Sequence, residues 1–200
     1  MAGRVAGKIK LQTVDELLGV PEIAGTQEIE LGRIHAFPNH PFKVLDDERM
    51  DMLVESIREN GILNPVIVRP DKNGDYEMIS GHRRLHAAGI VGLSKIPAIV
   101  KEMSDDEAII KMVDANIQRE EIMPSEKAFA YKMKLEAMKR TAGRPTKENA
   151  CHNGTHLRSD QELALQVGDS ARSIQRYIRL TELIPELLEC IDNKKLGLVI

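Results

Sequence analysis

The chain has 200 residues with 28 Lys and Arg against 31 Asp and Glu, a formal net charge of −3, and only three Phe, three Tyr and no Trp. That length holds one large or two small domains with an aliphatic core, and the charge balance excludes a globally basic nucleic-acid binder, so any such surface is local. Cys151 and Cys190 are too few and too far apart for a disulfide framework, no apolar run reaches the roughly 18 residues of a membrane span, and the N-terminus lacks a signal-peptide core, so the expected setting is a reducing cytoplasm with no membrane attachment.

Residues 1–27 read as a flexible N-terminal arm, with one amphipathic turn at 14–18 punctuated by Gly19, Pro21 and Gly25. Residues 28–34 read as a short strand, followed by a loop that Pro38 and Pro41 hold extended. Asp46 and Asp47 can cap a helix in which Met50, Leu53, Val54 and Ile57 form one buried stripe, ended by Asn60 and Gly61. Residues 65–69 are a strand of branched side chains, Asn73-Gly74 predicts a hairpin turn over 71–75, and residues 76–79 are the return strand.

The return strand runs into Gly81, His82, Arg83 and Arg84. A glycine lets a ligand approach the backbone, the helix start offers free amides and a positive dipole end, and two arginines can grip phosphate oxygens in bidentate fashion. Together they make a candidate polyphosphate cradle; the competing reading is a strand-to-helix turn whose arginines cover a surface. Gly89 and Gly92 loosen the chain before a strand at 96–100. Ser104 and Glu107 form a capping box for a helix reaching about Asn116, and the polar run Asn116, Ile117, Gln118, Arg119, Glu120 follows. Pro124 opens a long helix in which Ala128, Tyr131, Leu135 and Met138 share a face.

Residues 141–158 read as a linker. Cys151, His152 and His156 lie in it, but their spacing fits no zinc finger and no second ligand pair is near. Ser159 and Glu162 form a second capping box, and the helix they start stops at Gly168-Asp169. A second helix from Ser170 to about Leu180 completes a helix-turn-helix pattern over 159–180. It carries Ser170, Arg172, Ser173, Gln175, Arg176 and Arg179, types that reach base edges or phosphates, while Ile174, Tyr177 and Ile178 point inward. The basic excess falls here: residues 141–180 hold six Lys and Arg against four Asp and Glu. A last helix over 183–196 is expected to break at Pro185, and the apolar end, Leu198, Val199 and Ile200, reads as a chain that continues.

Taken in order, four motifs resemble the ParB-type partition proteins: 46–61, Pro65 through Pro70, 76–88 and 116–126, with 159–196 resembling that family's central helix-turn-helix. The resemblance covers about residues 28–198, and the variant Asn39-His40-Pro41-Phe42-Lys43-Val44 resembles the branch found on plasmids and integrative elements. It implies an α+β chain: a small mixed α/β nucleotide-binding domain of sulfiredoxin-like fold at 28–123, then an all-α DNA-binding domain at 124–200. It further implies CTP and Mg²⁺, with Gly81, His82, Arg83 and Arg84 on the triphosphate, Asn116, Gln118 and Arg119 adding contacts, and Asn116 on the metal. The implied partners are a centromere-like duplex site, a ParA-type ATPase and a second copy of the chain, in a bacterial cytoplasm at the nucleoid, with CTP hydrolysis slow at most.

Two departures qualify this. His82 stands where the family has glutamate and Ala115 where it has a carboxylate, so metal affinity should fall, with Asp114 or Glu120 as substitutes and His82 as a direct phosphate donor. Phe42 also replaces an arginine common in the family. The alternatives are a DNA-binding regulator that has lost its nucleotide switch, and an enzyme of related fold: a nuclease, a small-molecule kinase or a sulfiredoxin. A nuclease needs a metal-binding carboxylate cluster. Asp105, Asp106 and Glu107 are the one candidate, in a capping position, and no thiol lies near the cradle.

Overall fold

The computed structural model describes residues 25–119, 122–141 and 158–197. The N-terminal arm to residue 24, Glu120, nearly all of the linker with Cys151, His152 and His156, and the last three residues lie outside them.

The strand expected over 28–34 is two strands. β1, Thr26–Glu30, and β2, Ile34–His35, are parted by a 3-10 turn at Leu31–Arg33. They then join opposite edges of one mixed sheet, ordered β1-β5-β3-β4-β2, with β3 at Val66–Pro70, β4 at Tyr76–Ser80 and β5 at Lys95–Val100. In a flat sheet those edges would stand about 19 Å apart, at about 4.8 Å per strand. The steps from Glu30 to Ile34 can span only about 14 Å, so the sheet curls until its edges approach. β3 and β4 form the expected antiparallel hairpin, with an irregularity between Ile67 and Val68; β3 runs parallel to β5, and β2 parallel to β4.

Both faces of the sheet are covered. On one, Ile29, Ile34, Val66, Val68, Met78, Ile96 and Ala98 pack with Ala88 of α2, His82–Val91. Helix α1, Glu48–Asn60, lies over α2 through Met50, Val54, Ile57 and Ala87. Asp47 caps α1 as expected, its Oδ1 accepting the Met50 N–H at 2.8 Å, whereas Asp46 accepts from His86 Nε2 at 2.8 Å instead. Gly89 does not loosen the chain; it lies inside α2, and Gly92 at φ +85° ends the helix. On the other face, Ile79, Phe37 and Phe42 meet Ala108, Met112 and Val113 of α3, Asp105–Ile117, whose Ser104–Glu107 capping box forms as expected.

Helix α4, Pro124–Thr141, is shared. Its Ala130 enters the core with Ile79 and Met112. Its Tyr131, Leu135 and Met138 bury Leu163 of α5, Ser159–Val167, and Ile174 of α6, Ala171–Leu180. Its Ala128 meets Leu180 and Ile191, the latter on α7, Pro185–Asp192. The boundary expected at 123/124 is thus crossed by side chains of one helix. Two local expectations shift. Only half of the box expected around α5 forms, and one residue early: the Arg158 N–H donates to Gln161 Oε1 at 3.1 Å, but arginine offers no side-chain acceptor in return. Pro185 starts α7 rather than breaking a longer helix, because a residue at the first helical position needs no N–H donor.

Candidate functional site

The turn between β4 and α2 is built around Gly81, at φ +113°. A Cβ there would lie 2.7 Å from Val66 Cγ1 and 3.3 Å from Arg84 Nη2. The glycine therefore lets the turn pack closely on β3. Arg84 points the same way: its Nη1 donates to the carbonyls of Asn64 and, at 2.9 Å, Pro65. Burial pushes its guanidinium below the ordinary range. Of the paired arginines, Arg84 clasps the approach to β3 and the half-buried Arg83 pairs with Asp47.

Arg83 lines a cleft of about 590 Å³ with Lys43, Arg49, Arg119 and Lys194. Burial lowers the Arg119 guanidinium, and the facing Arg83 lowers it further, while Glu126 pulls it back. Three carboxylates share the cleft, and each is engaged. Asp47 accepts the Met50 N–H and Arg83 Nη2, the latter at 2.9 Å. Glu126 accepts the Lys43 N–H at 2.8 Å and the Met123 N–H at 3.3 Å. Asp192 accepts Ser125 N at 2.9 Å and Ser125 Oγ at 2.5 Å, tying α7 to the start of α4. The cleft thus carries five cations against three carboxylates, and suits a multiply charged anion.

His82 does not donate to that cleft. It is 8% exposed, neither ring nitrogen has a partner, and its ring lies 3.8 Å from that of His40. Burial, then the His40 and Arg119 charges, push it down to about 3, so it is a neutral core imidazole. His40 Nδ1 lies 2.7 Å from the Phe42 carbonyl, an acceptor, so Nδ1 carries the proton and the unpartnered Nε2 is a bare acceptor. Asn116 is buried on α3 with its amide donating to the Met112 carbonyl at 2.8 Å; Gln118 is exposed at the helix end. Asp114, a possible metal ligand, instead pairs with buried Lys134 at 2.5 Å. Among the described residues no group of three or more His, Cys, Asp or Glu could hold a metal ion. The described cations suit a triphosphate, while each described carboxylate around them is already engaged and none is free to hold Mg²⁺.

On α6, Arg172, Gln175, Arg176 and Arg179 fall at i, i+3, i+4 and i+7 on one face, and Ile174, Tyr177 and Ile178 on the other. Ser170 caps the helix by accepting the Ser173 N–H at 3.0 Å, and the two hydroxyls lie 2.9 Å apart. Gln175 Nε2 reaches Asp160 at 3.5 Å. The turn before α6 is pinned from α4: Asp169 Oδ2 accepts the Tyr131 hydroxyl and Lys127 Nζ, the latter at 2.8 Å. Burial opposes ionisation of Asp169, but these donors outweigh it and hold the carboxyl below its usual range.

The sequence model of the ParB N-terminal domain matches residues 15–117, half of the chain. The chain belongs to the ParB family. The chromosome-partitioning protein Spo0J of Thermus thermophilus is 34% identical over 170 residues, 85% of this chain and 56% of that protein. A nucleoid occlusion protein of Listeria monocytogenes is 30% identical over 198 residues, 97% of this chain and 62% of that protein. This ParB chain therefore spans about three-fifths of the length of these relatives. Among solved structures, a C-terminally truncated ParB of Caulobacter crescentus complexed to the centromeric parS site has the same fold, with a TM-score of 0.53 at 23% identity over 86% of this chain and 80% of that one. The expected mixed α/β ParB fold with a sheet and covering helices is what the structure has.

Within this ParB fold the acidic run that a nuclease would draw on is taken up in other contacts. Asp105 pairs with Arg69 at 2.7 Å, Asp106 with Arg140 at 2.6 Å, and Glu107 with Ser104, so the acidic run is three separate contacts rather than a metal cluster. The described thiol, Cys190, sits on α7. The sequence reading missed His40, Lys43, Arg49 and Glu126. The Met123–Glu126 spacing ahead of the Pro124 helix was the one local signal available for Glu126, as a capping residue.

Proposed function

We propose that this ParB-family chain is a CTP-gated DNA-binding partition protein. It reads a centromere-like duplex site through α6, with Arg172, Gln175, Arg176 and Arg179 toward the groove and Ser170 and Ser173 at the phosphates near the helix start. It binds CTP in the cleft of Arg83, Arg119 and Lys43, with Gly81 and Arg84 shaping the turn that presents Arg83, and with exposed Gln118 next to Arg119 in the chain. Bound CTP supplies a triphosphate whose charge those cations meet. CTP, rather than another nucleotide, follows from the motif resemblance. So do a second copy of the chain, a ParA-type ATPase partner, a role in chromosome or plasmid segregation and a nucleoid location in a bacterial cytoplasm. The Caulobacter relative complexed to parS and the Thermus partitioning relative support the DNA and segregation parts of this reading.

The observation that carries the gating is on α4. Glu126 holds the Lys43 N–H at the anion cleft, and the next residue, Lys127, holds Asp169 at the turn before α6, with Tyr131 one turn on. One rigid helix therefore touches both sites within two turns, which is the physical link that coupling between them requires. The second reading, a DNA-binding regulator without a nucleotide switch, is favoured by the neutral, buried His82.

Calorimetric titration with CTP, ATP, GTP and UTP, with and without candidate centromere-like duplexes, separates the two. CTP-selective binding whose affinity changes with DNA is expected; a folded chain that binds DNA but no nucleotide is the regulator. Arg176→Ala should cost about 1–3 kcal/mol on the specific site alone. Equal loss on every sequence would make Arg176 a phosphate contact.

A further inference from the structure

Relying on the nucleotide cleft proposed above, we infer that this chain binds its nucleoside triphosphate without a divalent metal ion, the negative charge being met by Arg83, Arg119 and Lys43. A protein-held Mg²⁺ needs hard oxygen ligands free to turn toward it. Among the described residues the cleft's carboxylates are not free: Asp47, Glu126 and Asp192 each accept a backbone N–H that starts or anchors a helix. Turning any of them to a metal would uncap α1 or α4, or release α7 from α4. Asp114, next to Ala115, is fixed on Lys134, and rotating it away would leave that buried ammonium without its counter-charge, a strongly unfavourable change. His82, where the resemblance places a carboxylate, is neutral and faces His40.

The cations argue in the same direction. Arg119 and Arg83 already disfavour one another across the cleft, and a dication placed between them would add to that repulsion. A polyphosphate placed there relieves it, and two guanidiniums offer bidentate geometry to adjacent phosphate groups. The charge a metal supplies in a Mg²⁺-dependent site is thus already built into the side chains of this one.

The test is equilibrium titration of the full chain with a fluorescent CTP analogue in excess Mg²⁺ and, in parallel, in EDTA, with Arg119→Ala as the control. Affinities equal within about twofold are expected, against a tenfold step of about 1.4 kcal/mol that marks a real contact, and Arg119→Ala should lose binding in both buffers. Binding that weakens about tenfold or more in EDTA overturns the inference while leaving the nucleotide cleft intact. In that event Glu120→Gln and Glu121→Gln, which lie outside the described residues, would identify the missing ligand. No binding in either buffer by a folded chain defeats the cleft assignment itself, and this inference with it.

Discussion

Arg84 and His82 sit in one short motif and do opposite things from what their residue types suggest. Arg84 satisfies two carbonyls of the segment leading into β3, so Arg84→Ala should lower stability by about 1.5–3 kcal/mol, the range for charge-assisted hydrogen bonds. Urea unfolding measures that loss. An unchanged midpoint together with lost CTP affinity would return Arg84 to the phosphates. His82 titrates near 3 in the folded chain against an ordinary 6.5, so its contribution is full above pH 6.5 and is lost as pH falls from 6.5 toward 3. At pH 5 the loss is about 2 kcal/mol. His82→Phe keeps a ring against His40 and removes the titration, so its stability should fall less between pH 7.5 and pH 5 than the parent chain's; parallel curves would show that His82 is protonated when folded. The motif was visible in the sequence, but the direction of a guanidinium was not. Neither was the His40 ring that makes His82 a core residue, because that contact joins a loop to a helix start far apart in the chain.

Among the elements, local chemistry was the most legible. The Asp47 cap, the Ser104–Glu107 box, the hairpin over residues 71–75 and the glycine turn at 168 all rest on interactions between near neighbours in sequence. The split of β1 from β2 was not legible, because Leu31, Gly32 and Arg33 continue a strand-like pattern and only the curl of the whole sheet sends the two halves to different edges. The helix-turn-helix was readable as a motif, but its attachment to α4 was not. That attachment can be measured. Tyr131 and Lys127 bond the same oxygen of Asp169, so Tyr131→Phe should cost about 1–2 kcal/mol, and the double variant with Lys127→Ala should cost measurably less or more than the two singles together. Strict additivity in denaturant unfolding would mean that the two donors act independently.

For the molecule as a whole, hydrophobic contacts do not divide where the motifs do. Cores on both sides of the expected boundary draw on α4, so the chain should unfold in a single transition, with calorimetric and van't Hoff enthalpies equal. Two resolved transitions would refute this. A practical corollary concerns transplantation. Anyone grafting the DNA-reading helices onto another protein, or expressing the sheet alone, must take 124–141 along, since without it Leu163 and Ile174 lose Tyr131, Leu135 and Met138, and Ile79 and Met112 lose Ala130. The helix cannot be divided between the two products; it would have to be copied into both.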